Sequence, residues 1–254
     1  MTQIRRRASA EKTKPTPFWL AAAVVLPAVG LLTKIEVEGG EHLPADGPYV
    51  LAPNHYSEFD PIVVAVATWR LGRAPRFMAK ESLFRVPVVG WVLRGLGMIP
   101  VSRTTSASAA GQAIAQAAEL AADGRGVIVY PEGSLTREPD LWPMRGKSGA
   151  VRVAVAGDIP VIPVATWGVQ AIMPRYGRFS VWPLRKRVRV RFGPRVELAL
   201  ASGQTPTPAQ LVAATDTVMA RIAGLLGELR GEQPPAQRWN PGQHGQKETG
   251  RLEP

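Results

Sequence analysis

The sequence predicts an α/β fold in which a central sheet, mixed or mostly parallel, is flanked by helices. From residue 34 onward, short apolar runs alternate with longer segments of helical spacing. The runs at residues 49–52, 127–130 and 161–166 are apolar throughout, which is typical of strands buried on both faces. The segments at residues 107–122 and 208–230 predict helices, the first from its alanine content and the second from its apolar periodicity.

The remaining elements follow from local patterns. Asp60 and Pro61 suit the start of a helix whose body is residues 62–70, with Asp60 as its N-cap. Residues 98–101 predict another strand, and residues 151–156 a short helix. Residues 181–192 contain a stretch, residues 187–192, in which arginines alternate with apolar residues, and this pattern indicates an edge strand with one basic face.

Composition narrows the class of function. The chain has 254 residues, of which 45% are hydrophobic, enough for one domain with tails. It contains no cysteine, so disulfides and thiolate chemistry are excluded. The formal net charge of +11 predicts an anionic partner, and charge alone does not choose among nucleic acid, an acidic membrane face and phosphorylated small molecules.

An apolar stretch without charge, residues 18–33, follows a basic N-terminal cluster. As a helix it would reach roughly 24 Å, short of the roughly 30 Å hydrocarbon core of a bilayer. We therefore expect an interfacial or shallowly inserted anchor, with a buried core helix as the alternative. An export signal is less favoured, because residues 32–36 lack the small-residue cleavage pattern.

His55 is the candidate general base. It lies in Asn54-His55-Tyr56-Ser57-Glu58-Phe59-Asp60, where a carboxylate five residues later can fold back onto the imidazole. Histidine has a side-chain pKa near neutrality, and a buried aspartate can hold its tautomer and stabilise the imidazolium. The ordinary structural alternative is a loop histidine beside a helix N-cap. A serine-hydrolase elbow is absent, and Leu141 stands where a phosphate-binding loop needs glycine.

Four blocks in order resemble the glycerolipid acyltransferases, the family of the 1-acylglycerol-3-phosphate acyltransferases and their relatives. Asn54 to Asp60 matches the family's NHxxxxD block, and residues 97–103 match the second block, which ends in Arg103. Residues 130–137 resemble the EGTR loop, with an insertion that shifts Thr136 and Arg137. Residues 159–164 resemble the family's apolar VPV-type strand.

The resemblance implies roles for individual residues. His55 and Asp60 would be catalytic, and Glu132, Gly133 and Ser134 would form the acceptor-site loop. Cations expected to bind the acceptor phosphate are Arg103, Arg137, Lys80 and Lys147.

The function implied is transfer of a fatty acyl group from acyl-CoA or acyl-carrier protein to lysophosphatidic acid, giving phosphatidic acid, with no metal or other cofactor. Glycerol 3-phosphate, a lysophospholipid or a glycolipid are alternative acceptors. A non-catalytic basic protein that binds membranes or nucleic acid is a further alternative, although we expect no nucleic-acid partner.

The expected organisation has three parts. Residues 1–34 form a basic N-terminus and apolar anchor, residues 35–230 the acyltransferase domain, and residues 231–254 a disordered tail rich in Gly, Pro, Gln and charge. The protein is expected to associate with the cytoplasmic face of the cell membrane through an anionic lipid surface.

Overall fold

The computed structural model describes residues 9, 16–101, 107–200, 206–248 and 250. The helices are α1 (Pro17–Leu32), α2 (Asp60–Arg70), α3 (Glu81–Phe84), α4 (Pro87–Gly95), α5 (Ala107–Ala122), α6 (Gly149–Gly157) and α7 (Pro208–Arg230). The strands are β1 (Thr33–Glu38), β2 (Tyr49–Pro53), β3 (Met78–Lys80), β4 (Ile99–Val101), β5 (Gly126–Ile128), β6 (Val161–Trp167) and β7 (Lys186–Phe192). Short 3₁₀ turns lie at Gly40–His42, Val169–Ala171 and Pro241–His244.

Five strands form a mixed sheet in the order β1-β7-β6-β2-β5. Neighbours pair in parallel except β6 and β7, which are antiparallel. Strands β3 and β4 form a parallel pair of their own, linked to β5 by a bridge between Phe77 and Ile128. The predicted α/β fold with a central mixed sheet flanked by helices is confirmed.

Helices cover both faces of the sheet, and β2 lies between the two layers. Tyr49 and Leu51 point into a core shared with α2, whereas Val50 and Ala52 point into a core shared with α5, α6 and α7. This alternation is the pleat of a strand buried on both sides. The loop that leaves β2 therefore starts from a strand that is buried on both faces.

The predicted apolar N-terminal segment forms α1, a 16-residue helix with Pro27 inside it. Phe18 and Val29 are buried against the domain, but Leu20 and Val24 are more than 70% exposed. Among the described residues, α7 is the one helix long and apolar enough to cross a membrane, and 44% of its most apolar window is buried inside the protein. Helix α7 packs against the sheet as a core helix, as its periodicity predicts.

The alternating stretch at residues 187–192 is a strand as predicted, within Lys186–Phe192. The prediction that it is an edge strand is wrong, because it lies between β1 and β6. Its basic face is matched by acids on its neighbours. Arg187 pairs with Glu36 at 2.8 Å, and Arg191 pairs with Glu38 at 3.3 Å across the parallel β1 strand. These cross-strand pairs of opposite charge support the pairing of β7 with β1.

The prediction of a disordered C-terminal tail is wrong for residues 231–248. Trp239 stacks on His244 with ring centroids 3.5 Å apart, and Pro241 is buried. Arg238 pairs with Asp216 on α7 at 2.6 Å. The Arg145 backbone N–H donates to the Trp239 carbonyl at 2.8 Å. One aromatic ring and one proline therefore order a segment whose average composition is polar.

Candidate active site

The chain leaves β2 at the carboxyl edge of the sheet, and Asn54 fixes this exit. Its side-chain amide donates to the Thr166 carbonyl at 3.2 Å, and its oxygen accepts the Thr166 N–H at 2.8 Å. Asn54 is buried, so these bonds form away from water. The asparagine thereby extends the contact between β2 and β6 by one residue. This contact fixes the position of the backbone that leads into His55.

His55 and Asp60 form the pair that their spacing predicts. Nδ1 of His55 lies 3.2 Å from Oδ2 of Asp60. The histidine side chain keeps 17% of its surface exposed, whereas Asp60 is fully buried. The nitrogen on the other side of the ring, Nε2, is therefore the one that a hydroxyl group can approach from solvent.

Asp60 also determines the shape of the loop. Its Oδ2 accepts the backbone N–H groups of Tyr56 at 2.7 Å and Ser57 at 2.8 Å. Asp60 is the first residue of α2, with Phe59 at the N-cap position, so its side chain turns back to the loop and does not cap the helix. Burial raises the pKa of Asp60, and the hydrogen bond from His55 opposes that rise.

Tyr130 covers one face of the imidazole and has no counterpart in the sequence-based prediction of the site. Its ring centroid lies 4.2 Å from that of His55, at an interplanar angle of 35°. Burial raises the pKa of Tyr130 well above its usual value, with a smaller contribution from the negative charge of Asp60. The sequence does show a tyrosine directly before the Pro131-Glu132 loop, but the contact of this tyrosine with His55 follows from the fold.

Glu132 accepts a hydrogen bond from the backbone of His55. It is fully buried, its Oε1 accepts the His55 N–H at 2.8 Å, and its Oε2 accepts the Met144 N–H at 3.0 Å. Burial raises the pKa of Glu132 to about 8, and the two N–H donors lower it only in part. Both oxygens face backbone, so this carboxyl group holds two loops together.

We expect Glu132→Gln to destabilise the protein by about 1–3 kcal/mol, since one backbone N–H would then face an amide NH₂. We also expect a change in pH dependence. The folded carboxyl keeps its proton up to about pH 8, whereas an unfolded one loses it near 4.5, so stability falls as pH rises between these values. The glutamine variant lacks this contribution, so its free energy of unfolding should fall less steeply as the pH rises.

Urea denaturation of wild type and Glu132→Gln at several values between about pH 5 and about pH 8 measures both effects. Glu232→Gln is the matched control, because Glu232 is exposed and its carboxylate pairs with Arg230 at the end of α7. Equal slopes for wild type and Glu132→Gln would contradict the assignment of a raised pKa.

The rest of the loop after Glu132 is bonded closely to the His55 loop. Gly133 has φ +69°, a conformation that favours glycine, and the Thr136 N–H donates to the His55 carbonyl. Arg175, which sequence reasoning did not single out, donates from Nη1 to the carbonyls of Thr136 at 2.6 Å and Glu138 at 2.8 Å. These bonds hold residues 133–138 beside His55 in a defined shape.

Two predicted phosphate-binding residues, Arg137 and Lys147, contact the C-terminal segment. Arg137 is 2% exposed and donates from Nη2 to the Gly250 carbonyl at 3.1 Å. Nζ of Lys147 lies 3.9 Å from a carboxylate oxygen of Glu248, and Ser134 Oγ donates to the Glu248 carbonyl at 3.2 Å. A cavity of about 280 Å³ lies here, lined by Glu132, Met144, Arg145, Lys147, Thr215 and Glu248.

Two of the predicted phosphate-binding residues are not placed. Arg103 lies outside the described residues. Lys80 ends β3, and its side chain is likewise outside the described part of the structure. Within the described ranges, no group of three or more His, Asp or Glu side chains is arranged to hold a metal ion.

Comparisons with known proteins find curated relatives of this sequence. A chloroplastic 1-acyl-sn-glycerol-3-phosphate acyltransferase of Brassica napus is 32% identical over 142 residues, which are 56% of this chain and 39% of that protein. The Bacillus subtilis 1-acyl-sn-glycerol-3-phosphate acyltransferase is 32% identical over 134 residues, 53% of this chain and 63% of the relative. The matches to these two curated relatives thus span less than two thirds of their lengths.

The same fold is found in a solved structure. The crystal structure of the 1-acyl-sn-glycerophosphate acyltransferase PlsC from Thermotoga maritima superposes with a TM-score of 0.58 at 23% identity, covering 88% of this chain and 85% of that one. The family model described as Acyltransferase matches residues 34–167, just over half of the sequence and the part that holds β2, His55, Asp60 and Glu132. The chain therefore belongs to the acyltransferase family.

Proposed function

We propose that the protein is a membrane-associated O-acyltransferase that transfers a fatty acyl group from a thioester, acyl-CoA or acyl-carrier protein, to the free hydroxyl of lysophosphatidic acid. The product is phosphatidic acid. The observation that carries the proposal is the buried Asp60 carboxylate 3.2 Å from Nδ1 of a partly exposed His55. The names of the relatives support the acceptor.

The chemistry requires one base and no enzyme nucleophile. Nε2 of His55 takes the proton of the acceptor hydroxyl while the oxygen attacks the thioester carbonyl. Asp60 stabilises the resulting imidazolium through Nδ1–H. When the tetrahedral intermediate collapses, the carbon–sulfur bond breaks, and the imidazolium returns the proton to the departing thiolate. No metal or other cofactor enters these steps.

The acceptor phosphate requires cations near this base. Arg137 and Lys147 lie on the loops that flank Glu132, and we assign them to the phosphate together with Arg103 and Lys80. Arginine suits this role because its planar fork matches two phosphate oxygens. We place the protein on the cytoplasmic face of the membrane, with α1 as a shallow anchor.

The direct test is an assay of the purified protein with labelled acyl-CoA or acyl-carrier protein against lysophosphatidic acid, glycerol 3-phosphate, a neutral lysophospholipid and a glycolipid. Products are identified by mass. Phosphatidic acid as the main product supports the proposal. Turnover of the acceptors without a phosphomonoester at the same efficiency would contradict the assignment of Arg137 and Lys147.

The C-terminal segment should compete with the acceptor phosphate. We expect Glu248→Ala to lower the KM for lysophosphatidic acid and leave kcat unchanged, because the Glu248 carboxylate lies near Lys147 and Arg145. These ion pairs are half-exposed and worth at most about 1 kcal/mol, so the change should be about fivefold or less. Steady-state kinetics measure it, with Glu232→Ala as the control. A raised KM would mean that Glu248 helps to build the acceptor site.

A further inference from the structure

Large apolar side chains on the surface are concentrated in three segments. Among the described residues, sixteen such side chains are strongly exposed, and fourteen of them lie in α1, in residues 83–92 or in residues 179–184. The other two are Ile62 and Val212. We call the fourteen side chains the apolar face. Soluble proteins seldom expose so much apolar surface unless a partner or a membrane covers it.

Contacts through α1 connect the three segments. Near the N-terminal end of α1, Phe18 forms an apolar cluster with Trp69 and Ala74. Leu96 and Met98, which directly follow α4, pack against this cluster. At the other end, the Leu31 carbonyl accepts the Arg185 N–H at 3.2 Å. One helix of 16 residues thus reaches from the end of α4 to the end of the loop at residues 179–184.

Each segment presents one exposed tryptophan. Trp19 is 47% exposed, Trp91 is 74% exposed and Trp182 is 77% exposed, whereas the other four tryptophans are buried or half-buried. Tryptophan is enriched at membrane–water interfaces, since its ring is apolar and its N–H can remain hydrated. An exposed tryptophan on each segment therefore suits the apolar face to a lipid interface.

The loop at residues 179–184 has a defined shape although four of its apolar side chains are exposed. The Ser180 N–H donates to the Ile172 carbonyl at 2.7 Å, and Lys186 Nζ donates to the Ser180 carbonyl at 2.8 Å. A loop ordered before binding loses little conformational entropy when its side chains enter another phase. The exposed Phe179, Val181, Trp182 and Leu184 are therefore well suited to insertion.

The charges around this loop are positive. No acidic residue lies between Asp158 and Glu197 in the sequence, and Arg178 and Arg185 are exposed at the two ends of the loop. Basic residues at a membrane surface are attracted by anionic lipid. The exposed apolar side chains of this loop, flanked by two arginines, therefore suit an anionic bilayer. The aromatic rings would lie in the interface and the guanidinium groups among the lipid headgroups.

We propose that the protein docks on anionic lipid bilayers through the apolar face, and that the loop at residues 179–184 is a second membrane contact besides α1. This inference rests on the proposed function in one respect, namely that the substrate is a lipid. The loop is in direct contact with the catalytic loop. The Phe179 ring lies 5.7 Å from the Phe59 ring, and Ser57 Oγ donates to the Met173 carbonyl at 2.6 Å. Insertion of the loop therefore brings the His55 loop to the headgroup level.

The test compares wild type with the double variant Val181→Ser, Trp182→Ser in co-sedimentation with vesicles made of equal parts phosphatidylcholine and phosphatidylglycerol. Both side chains are more than half exposed, and removing their apolar surface should weaken binding at least about tenfold. Val212→Ser removes an exposed apolar residue outside the apolar face and should bind like wild type. Unchanged binding by the double variant would overturn the proposal. The proposal would also be overturned if the double variant sediments as a smaller oligomer than wild type and still binds vesicles normally. The apolar face would then join two copies of the chain.

Activity provides an independent measurement. The double variant should acylate a short-chain, water-soluble lysophosphatidic acid at the wild-type rate and lose activity only on acceptor embedded in vesicles. Equal losses on both acceptors would indicate that the loop shapes the catalytic site, and the membrane role would be wrong. If wild type acylates neither acceptor, the proposed function fails, while the vesicle-binding result still decides the role of the apolar face.

Discussion

Replacing His55 with alanine is expected to lower kcat for acyl transfer by about 10²–10⁴-fold, the range that a positioned general base contributes. The neutral hydroxyl of the acceptor would have no group within reach to take its proton. The ring is partly exposed and makes one side-chain hydrogen bond, to Asp60, so its loss should leave the fold intact. Single-turnover assays with labelled acyl-CoA measure the effect.

His42→Ala is the control for the loss of an imidazole. His42 lies in the 3₁₀ turn Gly40–His42, and its side chain is 36% exposed beside Glu41. This variant should retain wild-type kcat. Circular dichroism and the urea midpoint establish that both variants are folded. A folded His55→Ala protein with most of its activity would refute the mechanism.

Asp60→Asn is expected to lower kcat by up to about 10⁴-fold, the size of the effect when the buried aspartate of a catalytic triad becomes asparagine. The amide oxygen can still accept the N–H groups of Tyr56 and Ser57, so the loop keeps its shape. What is lost is the negative charge that stabilises the imidazolium. Since Asp60 is fully buried, removing that charge should not reduce the free energy of unfolding.

Kinetics and denaturation separate these effects. The KM for the thioester should be unchanged in Asp60→Asn, because Asp60 lies beneath the loop and has no exposed surface. Asp60→Ala is the companion variant: it removes all three hydrogen bonds at Oδ2 and should also be less stable. An asparagine variant with more than about a tenth of wild-type kcat would contradict the role of the charge.

The sequence was sufficient to predict the centre of the site. A buried apolar strand, a histidine after it and an aspartate five residues later leave few ways to fold, so the contact of His55 with Asp60 could be anticipated. The helix at residues 107–122 was also predicted at the bounds that the structure has. In these cases the information is local, in side chains a few residues apart or in one period of apolar residues.

Other features depend on partners far away in the chain. Glu132 was predicted as part of an acceptor-site loop, but its burial under His55 follows from the packing of two loops 77 residues apart. Two arginines of β7, which lies inside the sheet, pair with Glu36 and Glu38, about 150 residues earlier. Composition averaged over residues 231–254 does not reveal that Trp239 and Pro241 pack against the domain. Single-sequence patterns carry no signal for such pairings.

The C-terminal segment and the proposed catalytic pair belong to different parts of the molecule, which matters for redesign. His55 follows β2 and Asp60 begins α2, whereas Glu248 and Gly250 contact Ser134 and Arg137 through their backbone carbonyls. On the proposed function, substitutions at Glu248 are expected to alter which headgroups fit while the contact of His55 with Asp60 is kept. A library directed at that segment offers a route to enzymes that accept larger polar alcohols.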